Sequence, residues 1–192
     1  MGPGVPRALA GPVDRAYVCK LRTPATPRRG LTRFMAVRLP LLLRELLNPD
    51  RVRVPLRGAS KDALLEELVG VLRDAGAVDD GDAVLAAVRA REAVLSTGVG
   101  SGVGIPHGKS DCAPALVMAA GVTATPVDFD ALDGQPVRLL FLIVAPESEA
   151  GLHVKALGRI SRLVRREDLR DRLTRAGSAE EFLAVLAEAE EA

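Results

Sequence analysis

The sequence predicts an α/β protein, a single layered domain with a central mixed β-sheet and helices on both faces. Three observations lead there. Two continuous apolar runs, ALVMAAGVT (115–123) and VRLLFLIVA (137–145), have the length and uniformity of strands buried on both sides. Segments of helical period precede and follow them, so the sheet is covered on each face. At 192 residues, 48% of them apolar but only 3% aromatic, the chain is long enough for one well-buried core made of Leu, Val, Ile and Ala.

Residues 1–34 carry seven Lys or Arg against one Asp, with prolines at 3, 6, 12, 24 and 27. Such a stretch cannot sustain an amphipathic targeting helix and is expected to be a disordered basic tail. A start of translation at Met35 would leave it upstream of the protein altogether. The domain then runs over 35–192. PLLLRELL (40–47) predicts a short apolar helix ended by Asn48-Pro49, and RVRVPL (51–56) alternates like a strand. Ser60 is placed to cap a helix over KDALLEELVGVLRDAG that stops at Gly76. A second helix spans about 80–95, with Ala83, Val84, Ala87, Val88 and Leu95 inward. After the two buried strands come Pro146 and helices at about 149–165, 167–176 and, capped by Ser178, 179–190.

Net charge is +1, so no global field points to nucleic acid. No apolar run approaches the ~20 residues of a membrane span, and the first thirty residues lack a secretory signal. Cys19 and Cys112 are too few for a disulfide framework and fit a reducing cytosol.

The stretch that carries chemistry is STGVGSGVGIPHGKS (96–110). A P-loop needs a glycine five residues before Gly108, where this chain has Val103, and Ser110 leads to a strand instead of opening a helix. A dinucleotide fingerprint fails in the same way. If 103–107 is extended, Val103, Ile105 and His107 share one face, Pro106 fixes the backbone before the histidine and Gly108 permits a sharp exit. Glycines 98, 100, 102 and 104 would let backbone N–H groups approach whatever sits beside the ring. A neutral imidazole held this way is a good nucleophile near pH 7 and suits phosphoryl acceptance. The residues alone leave two readings, a reactive histidine or a structural turn that happens to contain one. From the residues alone, Arg91 reads as a solvated helix-end cation and His153 as a helix-boundary residue.

The order Arg91-Glu92, Ser96-Thr97-Gly98, Gly100, Gly102 and Ile105-Pro106-His107-Gly108 resembles the enzyme IIA domains of the bacterial phosphoenolpyruvate-dependent sugar phosphotransferase system. The resemblance is to the fructose/mannitol type, including its nitrogen-regulatory branch. It extends over about 40–190, through LLRELLNPDRVRVPLRGASKDALLEELVGVL and TPVDFDALDGQPVRLLFLIVAPESEAGLHVKALGRISRLV. It implies that His107 accepts a phosphoryl group from an HPr-type carrier, that His153 orients the ring or balances charge, and that Arg91 meets the phosphoryl oxygens. The backbone of Gly98, Gly100, Gly102, Gly104 and Gly108 is expected to bind the phosphate, with no metal and no cofactor. The partner accepting the phosphoryl group would be an enzyme IIB domain or a regulatory target.

Ser101 stands where family members often have Asn or Glu, so it gives no clue to the sugar. Lys109 after the turn resembles the regulatory branch, as does a chain with no IIB or membrane domain attached. The leading expectation is a cytoplasmic regulatory phosphocarrier. The alternatives are a fructose- or mannitol-type uptake component and a binding module never phosphorylated. An apolar rim for partners is expected from Val99, Val103 and the residues before His153.

Overall fold

The computed structural model describes residues 41–191. The tail at 1–34, the start at Met35 and Cys19 lie outside the described residues. The described residues form a six-stranded mixed sheet with five α-helices. Strand β1 (Val52–Leu56) is followed by helices α1 (Lys61–Asp74) and α2 (Gly81–Glu92). Three short strands come next, β2 (Gly98–Gly100), β3 (Val103–Gly104) and β4 (His107–Lys109). The long strands β5 (Val117–Val127) and β6 (Val137–Ala145) precede α3 (Ala150–Leu163), α4 (Glu167–Arg175) and α5 (Ala179–Glu191).

The strand order is β1-β5-β6-β3-β2, with β4 also paired to β6. β5 and β6 run antiparallel through the centre, whereas β1 joins β5 and both β3 and β4 join β6 in parallel. Both faces of β6 are buried, which is why its sequence is continuously apolar. Leu139, Phe141 and Ile143 enter one core under α3, α4 and α5, and Leu140, Leu142 and Val144 enter the other under α1 and α2. Phe141 meets Phe182 of α5 at a centroid distance of 6.0 Å.

The expected caps are present: the Ser60 side chain accepts from Ala63 N–H, and that of Ser178 from Glu181 N–H. Asp80 caps α2 in the same way. Two expectations are corrected. The apolar helix expected over 40–47 is, within the described residues, a single 3-10 turn at Leu43–Glu45. Its leucines pack against the core, and the Glu190 carboxylate accepts from Leu43 and Arg44 N–H at 2.9 and 3.1 Å. The second correction is the end of α2, at Glu92 instead of 95, which leaves Leu95 59% exposed. Among the described residues no helix is long and apolar enough to cross a membrane.

Candidate functional site

Residues 103–109 form one extended run beside β6, since Val103 pairs with Leu139 and His107 with Ile143. Pro106 does not interrupt it, because its carbonyl accepts from Ile143 N–H at 3.0 Å. Alternation puts Val103, Ile105 and His107 on the α3 face, while Gly104 and Gly108 face α1 and α2. β2 pairs only with β3, so among the described residues no strand lies beyond β4. His107 thus sits on an open edge, where side chains from both helical layers reach it.

From one layer comes Arg91, in the last turn of α2, whose Nε donates to His107 Nε2 at 3.1 Å. Its Nη1 is held by the Leu95 carbonyl at 2.9 Å. On the other side of the ring, His107 Nδ1 lies 2.8 Å from the Ile105 carbonyl. A carbonyl only accepts, so Nδ1 carries the proton and Nε2 keeps its lone pair. From the other layer comes His153 in α3, edge-on to His107 with centroids 5.5 Å apart. It is 4% exposed and its Nδ1 finds no hydrogen-bond partner among the described residues.

Burial pushes the pKa of His153 down to about 4, helped by His107 and Lys109 and opposed by Glu147. Burial also lowers that of His107; Arg91 adds to the fall, while the Ile105 carbonyl and Glu92 pull against it. Both rings are therefore neutral near pH 7, with one nucleophilic nitrogen presented at the edge.

A Cβ on Gly98 would lie 2.7 Å from Ala131 Cα, and one on Gly108 3.1 Å from Val88 N, so both mark close backbone contacts. Gly98 N–H donates to Ser96 Oγ at 3.2 Å. Gly100 faces the Asp133 carboxylate, Gly102 accepts from Arg138 and Leu139 N–H, and Gly104 packs over Leu140 and Val137. Ser101 takes φ +52° between them, its N–H held by Asp133 at 2.7 Å.

One group went unassigned in the sequence although it lies inside the motif. Glu92, 8% exposed, accepts from Thr97 N–H at 3.1 Å, from the Thr97 hydroxyl and from Lys61 Nζ at 2.7 Å. Burial raises its pKa, but Lys61 and Thr97 outweigh this and hold it below the ordinary carboxylate value. Its signals in the sequence are its place beside Arg91 in the motif and an acid at the end of a helix, just before a Ser-Thr-Gly.

Val94 and Leu95 follow the Arg91 helix and Leu152 and Val154 flank His153, and all four are exposed, as are Val99 and Leu132. The expected rim is corrected at Val103, which is 1% exposed because it points into the core beneath α3.

An α/β layered domain whose sheet edge presents a neutral histidine between an arginine and a second histidine is the class that fold and site define. A family model described as "Phosphoenolpyruvate-dependent sugar phosphotransferase system, EIIA 2" matches residues 45–189. The chain is 42% identical over 130 residues to the "PTS system fructose-specific EIIA component" of Haloferax volcanii, covering 68% of this chain and 84% of that protein. The crystal structure of "Nitrogen Regulatory Protein IIA-Ntr" from Neisseria meningitidis is 34% identical at a TM-score of 0.70, covering 75% of this chain and 98% of that one. The complex of enzyme IIA mannitol with phosphorylated enzyme IIB mannitol from Escherichia coli shares the fold at 21% identity and a TM-score of 0.65, covering 74% and 97%. This chain belongs to the enzyme IIA family of the phosphoenolpyruvate-dependent sugar phosphotransferase system.

Proposed function

We propose that the chain is a phosphohistidine carrier, a phosphotransferase component that accepts a phosphoryl group from an HPr-type protein at His107 Nε2. The carrying observation is the double constraint on the ring: Nδ1–H on the Ile105 carbonyl and the Nε2 lone pair toward Arg91. In the transfer a bond forms from Nε2 to phosphorus as the donor's P–N bond breaks. The proton stays on Nδ1. Arg91, released from the lone pair it now meets, turns its guanidinium to the phosphoryl oxygens. His153 stands beside the incoming charge, and the exposed apolar rim gives the donor a surface to dock on.

We assign the carrier to the cytoplasmic nitrogen-regulatory branch, acting on partners according to its phosphorylation state. The likeness to the IIA-Ntr structure and Lys109 after the turn support this. Relay to an enzyme IIB for sugar uptake is the second reading, favoured by the 42% identity to a fructose-specific component.

Intact-mass analysis after incubation with phosphoenolpyruvate, enzyme I and an HPr-type carrier tests the proposal. One acid-labile phosphate on wild type and none on His107→Ala is the expected result. No adduct on wild type would overturn it. Transfer onward to a fructose IIB domain would move the assignment to the second reading.

A further inference from the structure

Glu92 and Thr97 connect to the reactive ring through a continuous set of contacts. The Glu92 carboxylate takes the N–H and hydroxyl of Thr97. The Thr97 carbonyl in turn accepts from Ile105 N–H at 2.9 Å, and the Ile105 carbonyl faces His107 Nδ1 at 2.8 Å. Behind Glu92 stands Lys61 at 2.7 Å, itself tied to Asp130 at 3.1 Å and lying 5.1 Å from the Phe129 ring centroid. A buried carboxylate is tolerated because each of these donors reaches it. Glu92 also follows Arg91 in the chain, so one anchored turn locates the groups on both sides of the imidazole.

We propose that Glu92 is a positioning residue for His107: through Thr97 it holds the Ile105 carbonyl where it keeps the proton on Nδ1, leaving Nε2 unprotonated and able to react once Arg91 swings off it. The inference rests on His107 being the phosphoryl acceptor only for its consequence in transfer; the tautomer itself is a property of the free protein. Keeping the Nδ1 proton also matters after transfer. A phosphorylated imidazole protonated at Nδ1 departs as a neutral ring, whereas one that has lost the proton must leave as an anion, so the same carbonyl keeps the phosphoryl group transferable.

The test is the ring 15N spectrum of His107 at pH 7.5 in wild type and Glu92→Gln, with the rate of phosphoryl acceptance measured beside it. Wild type is expected to show the Nδ1-protonated tautomer alone. Glu92→Gln is expected to show a mixture of tautomers and acceptance slowed by about tenfold, the size of effect that supporting contacts around a reactive group carry. Thr97→Val removes the hydroxyl contact but keeps the N–H, and is expected to shift both readouts the same way by less. If Glu92→Gln does not fold, Thr97→Val decides. An unchanged tautomer in the folded variant overturns the proposal, even where its stability falls, since a simple brace would change stability alone. If no protein accepts phosphate, including wild type, the carrier reading fails while the tautomer result still judges Glu92.

Discussion

The ring of His153 stands edge-on to that of His107 at a centroid distance of 5.5 Å, and among the described residues neither has a carboxylate hydrogen-bonded to it. Burial, helped by His107, disfavours a charge on His153. With the His153 pKa near 4, the unfolded chain takes up its proton first as pH falls. The stability that His153 contributes is therefore full above about pH 6.5 and is lost as pH drops toward 4. The loss is on the order of 3 kcal/mol. Urea unfolding of wild type and His153→Gln at pH 7.5 and 4.5 measures it. The variant is expected to gain on wild type by that order at the lower pH, and a constant gap would mean His153 is not held neutral.

Arg91 contributes a directed donor as well as a charge. Arg91→Ala is expected to slow phosphoryl acceptance by about 10²-fold, as removal of a charge-stabilising donor does. Arg91→Lys should recover only part of this, since a lysine cannot hold the Leu95 carbonyl and meet Nε2 from one planar group. Single-turnover rates with a phosphorylated donor decide the matter; equal rates for wild type and Arg91→Lys would reduce the role to charge.

Gly98 and Gly158 make opposite predictions for the same substitution. A Cβ at 98 meets Ala131 backbone at 2.7 Å, so Gly98→Ala is expected to destabilise by about 1–3 kcal/mol. Gly158, inside α3, has nothing within 4 Å of a new Cβ, so Gly158→Ala should stabilise by about 1 kcal/mol. Chemical denaturation of the two variants checks both signs.

The Glu190 side chain is fully buried and gathers Leu43 N–H, Arg44 N–H and Arg159 Nε at 2.9, 3.1 and 3.3 Å. Glu190→Ala leaves these part-buried donors without it and is expected to cost about 1–3 kcal/mol. A loss below about 0.5 kcal/mol, the scale of a surface change, would show that water replaces the carboxylate.

The two long central strands were legible because burial on both faces writes an unbroken apolar run, as in Val137–Ala145, which matches the observed strand end to end. The helix caps were legible because Ser60 and Ser178 act locally. What sequence missed depends on contacts distant along the chain. Leu95 continues the apolar period of α2, yet the helix ends three residues earlier, where Glu92 draws Thr97 back onto itself. The turn at Leu43–Glu45 is held by a carboxylate 147 residues away. Val103 was expected at the rim and His107 on its face; that shared face turned out to be the one under α3. Arg91 and His107 could be named from the motif and His153 from the resemblance further along the chain, but not the route from Glu92 to the ring, which needs three dimensions to see.

The edge position of β4 also makes the site a test of the chain's own assembly. Arg91 arrives from the layer on one side of the sheet and His153 from the layer on the other, with the reactive strand seated on β6 between them. A partly folded chain, missing either layer, would expose a histidine without its escort. The three side chains therefore meet only where both helical layers have closed on the sheet.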